Sequence, residues 1–467
     1  MRSSVFTVLM CLMCVAVSGH AQIAKVDESL PRLDSLYPAR GPIPVIYAYG
    51  EPYERGVQIG TQLRAFDPNI VPRMAAARWD WVMTGIEHEI SRAEMLELIP
   101  DYLDAIHETM GDAIVDEYIA EMRGVADGAE VPFNDLFIVN LGGHYRKYFI
   151  DERGHNLSYY DGADGCSSIA VWGKATKDGE MIASHNCDWA RNFPNNAHAA
   201  VVMYPSKGNP LIYAAPIGTW GSHHIASDRL FVAGLALGKP KAKPRYLMPG
   251  GPNGMLQRWI VQYANSSKEA FSMLTEKGGV GDRGYASPSG NLVYVDENEA
   301  MYLQTAPDKI ARIPNEDGYN LVTNHIVLDE MRPHFVARKP QAVGDGFVDP
   351  EAGSINRRQS EKFLIKKNYG NLDVKGVIDI MSSHYDISTG TDNIFADTAC
   401  QHGEYKGRFS GTNLSTVVKL SERTVWIALG NPCVSPYTKI TLGTREDVVR
   451  AADEAMSRIA SEATEQQ

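Results

Sequence analysis

The residues best suited to covalent chemistry lie in Gly165-Cys166-Ser167-Ser168-Ile169-Ala170-Val171, where a small residue precedes a cysteine that opens an apolar run. After a turn containing Lys177-Asp178-Gly179, a second run ends in His185-Asn186-Cys187-Asp188-Trp189. A cysteine becomes a useful nucleophile when a base takes its proton or its pKa falls. If the chain cuts itself before Cys166, the new N-terminal residue carries both groups. Its α-amine, with a reference pKa of about 8, is held in the same residue as the thiol, which lowers the orientational cost of proton transfer. Such a site still needs a carboxylate to hold the amine and N–H donors for an oxyanion. The Asp178-Gly179 turn predicts a hairpin that sets Asp188 across from Cys166. The competing reading of Cys166 is a small hydrophobe in a buried strand. For Asp188 it is a turn or cap at a strand end.

The elements that must hold these residues follow from hydrophobic period. Downstream of Cys166 the chain is strand-rich: Cys166–Trp172 and Met181–His185 flank the turn, and Ala199–Tyr204, Leu211–Ala215, Leu230–Leu237, Leu292–Asp296 and Met301–Gln304 follow. Residues 255–276, 354–368 and 374–383 read as helices, Thr416–Leu420 with Thr424–Leu429 as a hairpin, and Arg445–Ala460 as a closing helix. Upstream, a polar, glycine-containing linker between Phe149 and Gly165 has the composition of an exposed, cleavable loop. Before it, Val45–Tyr49 reads as a strand, and Pro68–Gly128 as mostly helical. Ser91-Arg92-Ala93-Glu94 fits a capping box, and Tyr102, Ile106, Met110, Ile114, Tyr118 and Met122 form one apolar stripe. Gly56 and Gly60 imply close backbone packing, while Gly124 and Gly128 loosen the end of the stripe. Helices first and strands with interspersed helices afterwards predict an α+β fold of stacked layers.

Arg2, the apolar run Val5–Val17 and the small residues Gly19 and Ala21 read as a signal peptide over residues 1–21, cut before Gln22. The run is too short to span a bilayer and no later one is long enough, so an exported protein without an integral membrane segment is expected, periplasmic or extracellular. A formal charge of −12 argues against a nucleic-acid partner. Of six cysteines, Cys11 and Cys14 fall in the signal, leaving Cys166, Cys187, Cys400 and Cys433. Export permits disulfides, and Cys400 and Cys433, which flank the last hairpin, are candidates to pair. No CxxC remains, and His144, His155, His185, His223 and His224 show no zinc-ligand spacing, so neither a metal nor an organic cofactor is expected.

The order and spacing of these motifs resemble the N-terminal-nucleophile (Ntn) hydrolases. Gly165-Cys166-Ser167-Ser168, Lys177-Asp178-Gly179 and His185-Asn186-Cys187-Asp188-Trp189 look like the nucleophile hairpin of that group. The nearest branch is the autoproteolytic acyl-coenzyme A:6-aminopenicillanic acid acyltransferase-like group; choloylglycine hydrolases and penicillin V acylases look like more distant relatives. Tyr118–Ala129 with Asn140 resembles the pre-cleavage part, Thr323-Asn324-His325 the oxyanion segment, Ser354–Arg357 the later Ser/Arg segment, and Trp426–Cys433 the closing strand. The resemblance covers most of the chain after the signal.

What the resemblance implies is an αββα four-layer sandwich, cut between Gly165 and Cys166 into an α chain (22–165) and a β chain (166–467) that stay associated. Cys166 is then the nucleophile, Asp188 the carboxylate that orients its amine, Asn324 the oxyanion amide, and Arg357 a charged neighbour of the nucleophile, with Arg358 as its rival. A turn role for Asn324 and a surface ion pair for Arg357 are the plain alternatives. His185 stands where choloylglycine hydrolases carry Arg; it pairs with Asp188, meets a substrate group or fills a strand end. The Asn that those enzymes carry before the strand at Leu230–Leu237 is missing from Ile225-Ala226-Ser227-Asp228-Arg229-Leu230, so a second oxyanion donor has to come from elsewhere. His185 and Trp189 also resemble phospholipase B-like proteins. The implied activity is hydrolysis or acyl transfer at C–N amide bonds of small acyl-amide substrates. A lipid acyl-ester hydrolase and a non-catalytic exported binding protein on the same scaffold are the alternatives.

Overall fold

The computed structural model describes residues 43–152 (except 87 and 89), 165–190, 198–216, 224–241 (except 239), 253–275, 290–337, 341–343, 346–348 and 351–465 (except 395, 406 and 407). The expected signal peptide and the linker residues 153–164 lie outside the described residues.

The chain starts with β1 (Val45–Gly50) and a helical run: α1 (Pro52–Phe66), α2 (Ile70–Met83), α3 (Arg92–Glu97), α4 (Ile99–Met110), α5 (Asp112–Ala129) and α6 (Phe133–Glu152). Strands follow: β2 (Gly165–Val171), β3 (Ile182–Ala190), β4 (His198–Pro205), β5 (Leu211–Pro216), β6 (Ile225–Ser227) and β7 (Phe231–Ala236). After α7 (Asn253–Tyr263) and α8 (Ser267–Thr275) come β8 (Gly290–Val295), β9 (Ala300–Ala306), β10 (Lys309–Ile313) and β11 (Tyr319–Val322). A ribbon of β12 (Gln341–Val343) and β13 (Gly346–Val348) precedes α9 (Ala352–Lys367) and α10 (Val374–Met381). The last elements are β14 (Tyr385–Asp386), β15 (Thr391–Asp392), β16 (His402–Tyr405), β17 (Arg408–Lys419), β18 (Thr424–Leu429), β19 (Tyr437–Thr441) and α11 (Arg445–Glu465).

Two sheets carry the core. One runs β1-β4-β5-β6-β7-β8-β9-β10, the other β11-β2-β3-β17-β18-β19 with β16 also on β17. Alternate side chains of a strand point to opposite faces, and the apolar clusters sort accordingly. Ala199, Val201 and Met203 pack under the helices α1–α8, whereas Ala200 and Val202 face the second sheet. In that sheet Cys166 and Ala170 face inward, while Ile169 and Val171 pack against α9 and α10. The molecule is thus an α+β sandwich of four layers, helix–sheet–sheet–helix, as the sequence leads one to expect. β1 pairs in parallel with β4, and α1–α6 cover the outer face of their sheet, so residues on both sides of Gly165 build one core. No helix among the described residues is long and apolar enough to cross a membrane.

Several sequence expectations change on contact with the structure. The capping box is present, with Ser91 N–H donating to Glu94 Oε2 at 2.8 Å and Glu94 N–H to Ser91 Oγ at 3.2 Å. The apolar stripe is buried throughout, but Gly111, at φ 84°, breaks it into α4 and α5. The expected helix 255–276 divides into α7 and α8. Gly124 and Gly128 do not loosen a helix end: they mesh with Gly56 and Gly60 of α1. A Cβ on Gly124 would lie 2.1 Å from the Tyr53 carbonyl oxygen, and one on Gly56 2.2 Å from that of Glu121. Backbones this close leave no room for any side chain. Beneath this contact Arg55 pairs with Glu117 (2.8 Å) and Glu121 (2.5 Å), and Arg258 with Glu121 (3.2 Å). Burial alone would raise the Glu121 carboxyl, but Arg258 and Arg55 overcome it and hold it below its ordinary range. Cys400 and Cys433 carry free thiols and form no disulfide.

Candidate active site

Cys166 lies near the start of β2, flanked by β3 and β11. The β2–β3 register sets Gly165 opposite Asp188 and Cys166 opposite Cys187. The β2–β11 register ends with Val322 opposite Ser168, so the next two residues of the ladder bring Asn324 alongside Cys166. The Cys166 N–H donates to Asn324 Oδ1 at 2.7 Å. Asn324 is itself held by its backbone N–H, which donates to Ser354 Oγ at 2.8 Å, and by Nδ2, which donates to the Ala236 carbonyl at 3.0 Å. Ser354 opens α9, and Arg357 and Glu361 follow on the same helical face at i+3 and i+7.

Arg357 is buried and reaches back into the sheet. Its Nη2 donates to Asn324 Oδ1 at 2.7 Å and to the Cys166 carbonyl at 3.4 Å, and its Nη1 to Asp397 Oδ1 at 3.1 Å. Arg358 instead donates Nε to the Leu321 carbonyl at 3.3 Å, so the two arginines separate cleanly in space. Asp188 is fully buried, and its Oδ1 accepts from Thr412 Oγ1 at 2.6 Å. Thr412 sits opposite Asp188 in β17, at a bulge between Thr412 and Leu414, and accepts from the Gln401 N–H at 2.9 Å. Around Gly165 the packing is tight: a Cβ there would meet Asp188 Oδ2 at 2.6 Å and Gln401 Nε2 at 2.9 Å. Gly165 is buried and Cys166 is only 6% exposed. The Gly165–Cys166 bond is therefore inside the sandwich, although the composition of the linker before it reads as exposed.

The geometry gathers Gly165, Cys166, Asp188, Asn324 and Arg357 at one point, and the register sets His185 opposite Ser168, two residues along β2 from Cys166. His185 is fully buried on the inter-sheet face, two residues along β3 from Cys187. Its ring lies 4.4 Å from that of His224, whose Nδ1 bonds Thr416 Oγ1 at 2.8 Å. Cys187 is half-buried against the inter-sheet core. Asn324 turns its amide oxygen to Cys166 and its nitrogen to Ala236. With two N–H donors on Oδ1 and a carbonyl accepting from Nδ2, the amide has only one orientation that satisfies every partner.

Further polar residues surround the site, and of these the sequence motifs include only His325. Glu361, with its side chain behind Ser167, is fully buried and neither carboxylate oxygen has a hydrogen-bond partner among the described residues. Burial pushes its carboxyl up to about 7, against weaker downward pulls from Ser167 and Arg357. His325 bonds Thr323 Oγ1 at 3.1 Å and Ser354 Oγ at 2.9 Å. Burial, then Arg358 and Arg357, push it down to about 4, so the ring is neutral at pH 7. The spacing Ser354-x-x-Arg357-x-x-x-Glu361 was the available signal, one polar face on an otherwise solvated helix. Thr412 and Gln401 had none, because only the strand pairing brings them near Asp188.

No protein-family model matches the chain. Protein dcd1B of Dictyostelium discoideum is 21% identical over 302 residues, which covers 59% of this chain and 52% of that protein. The chain thus spans about half the length of the curated relative it matches. Crystal structures of two mutant forms of the conjugated bile acid hydrolase from Clostridium perfringens superpose with a TM-score of 0.37 each. Identities are 10% and 11%, over 60% of this chain and 97% and 99% of theirs.

Proposed function

We propose that this chain is a self-cleaving N-terminal-nucleophile hydrolase that acts on the C–N bond of acyl amides through Cys166. The observation that carries the reading is convergence on one residue of a buried strand. Asn324 takes the Cys166 N–H, Arg357 reaches its carbonyl, and the Asp188 carboxylate fills the space where a side chain on Gly165 would go. A strand residue needs no such grip for its ladder.

In the maturation step Cys166 Sγ attacks the Gly165 carbonyl carbon. The Gly165–Cys166 C–N bond breaks, the thiol proton goes to the departing nitrogen, and a thioester forms. Water then hydrolyses the thioester to a Gly165 carboxylate and a free thiol. Because the bond is buried, a nucleophile on the adjacent residue has access that an external protease lacks. The freed amine takes the place of the amide nitrogen beside Asn324 Oδ1 and Asp188. The nearby Arg357 guanidinium disfavours a second positive charge and so keeps the amine available as a base. During turnover the amine takes the thiol proton as Sγ attacks the acyl carbon, then delivers it to the leaving amine as the acyl-enzyme forms. Water or an acceptor amine releases the acyl group. The fragments 22–165 and 166–467 stay associated through their common core. Export by residues 1–21, to the periplasm or the medium, belongs to the same proposal.

Intact mass of the denatured, purified protein tests it. Two fragments split at Gly165-Cys166 are expected from the wild type, and one chain from Cys166→Ala. An uncut wild type that hydrolyses substrate refutes the reading. Parallel assays on acyl amides and phospholipids then separate amide from ester chemistry.

A further inference from the structure

We propose that His384, Cys400, His402 and Cys433 form a binding site for a structural divalent metal ion of the zinc type. One ligand atom from each of the four side chains lies within 4.8 Å of every other. His402 Nε2 is 3.1 Å from Cys433 Sγ and 3.4 Å from Cys400 Sγ. Tetrahedral zinc with ordinary Zn–S and Zn–N lengths sets its ligand atoms about 3.3–3.8 Å apart, so the cluster is close to the required size. The His384 and His402 rings meet edge to face, with centroids 5.0 Å apart at 70°, and each can turn a nitrogen toward a common point. The buried Nε2 of His384 makes no hydrogen bond among the described residues.

A disulfide between Cys400 and Cys433 is the rival chemistry. It would use the two sulfurs alone and leave two imidazoles converging on them without a purpose. Both sulfurs are thiols here. Four protein ligands with no further position make a closed set, the pattern of a structural rather than a catalytic ion. An outer contact supports it: Asn431 Nδ2 donates to Cys400 Sγ at 3.7 Å and to the Gln401 carbonyl at 2.6 Å.

The ligands come from three separate stretches: the residue before β14, the start of β16, and the turn after β18. An ion here would staple them together. Gln401 sits between two of the ligands. Its backbone N–H donates to Thr412, which bonds Asp188, and its Nε2 donates to Asp397 Oδ1 at 3.0 Å, the carboxylate paired with Arg357. The site therefore braces the wall around Gly165, but the ion's binding does not depend on whether the chain cuts itself.

The test begins with full-length wild-type protein purified without chelators and assayed by elemental mass spectrometry. One zinc per chain is expected, falling at least tenfold in His384→Ala and in Cys433→Ser. Cobalt added to the metal-stripped wild type should give thiolate-to-cobalt charge-transfer absorption and the intense visible bands of tetrahedral cobalt. That spectrum decides the matter even if the variants fail to fold. Wild type that holds no metal and gives no cobalt spectrum overturns the proposal, whether peptide mapping then finds a Cys400–Cys433 disulfide or two alkylatable thiols. Metal retained undiminished in both variants overturns it as well. Metal content is read separately from chain cleavage, so failure of one proposal is distinguishable from failure of the other.

Discussion

Replacing Gly165 with alanine tests the site through a single methyl group. Gly165 does not have a positive φ, so alanine brings no backbone strain and the effect is steric. The added Cβ would stand 2.6 Å from Asp188 Oδ2, where ordinary contact begins at 3.4 Å, so something must move by 0.8 Å. The carboxylate cannot swing away freely, since it is fully buried and tied to Thr412 at 2.6 Å. Overpacking of this kind costs about 1–3 kcal/mol. A displacement near 1 Å at a reacting centre slows reaction by roughly 100-fold. Gly165→Ala is therefore expected to fold, with unfolding free energy lowered by no more than about 3 kcal/mol, and to mature roughly 100-fold more slowly. The assay is a time course of precursor decay by intact mass after purification, with circular dichroism melting as the control for folding. A folded Gly165→Ala chain that cuts at the wild-type rate would refute the argument that Asp188 and the Gly165 carbonyl are held in register for the cut.

Three further outcomes follow from the geometry. Arg357→Ala should abolish or strongly slow maturation while Arg358→Ala leaves it within a few-fold of wild type, because only Arg357 reaches Cys166 and Asn324; equal effects in the same time course would count against the assignment. The Glu361 carboxyl, raised from 4.5 to about 7, gives a stability contribution that is full below pH 4.5 and lost as pH rises through about 7. By linkage this amounts to about 3 kcal/mol. Urea denaturation between pH 4.5 and 8 should show that decline in wild type and a flatter profile in Glu361→Gln, and parallel profiles would sink the idea. Glu121→Ala removes the carboxylate that the buried Arg258 and Arg55 share, leaving Arg55 with Glu117 alone, and should cost about 3–5 kcal/mol in the same denaturation experiment, whereas Asp379→Ala, in the exposed pair with Lys375, should change stability by under about 0.5 kcal/mol.

What the sequence made legible was local. The hairpin of β2 and β3 follows from alternating apolar runs about an Asp178-Gly179 turn, and its register alone brings Asp188 to Gly165. The capping box, the apolar stripe and the closing helix α11 are set by neighbours within a turn or two. Short or polar strands carry no such local signal: β11 has four residues, and β16 begins with His402 and Gly403. Their strand character comes from partners they meet only in the sheet. Gly124 and Gly128 follow the same rule, since a glycine weakens an isolated helix but allows two packed helices to touch.

The sequence by itself determined that Cys166 opens the first strand of a hairpin whose second strand carries Asp188, which the register sets opposite Gly165. Only the tertiary structure decided which groups surround it. Asn324 and Arg357 lie 158 and 191 residues from Cys166 along the chain, and strand order together with the placement of α9 delivers them. The same holds for His384, Cys400, His402 and Cys433, whose spacing matches no compact motif because sheet pairing and turns, not chain proximity, bring them together. Pattern in a sequence records interactions between near neighbours; a site assembled across a sandwich depends on contacts whose partners are chosen by packing.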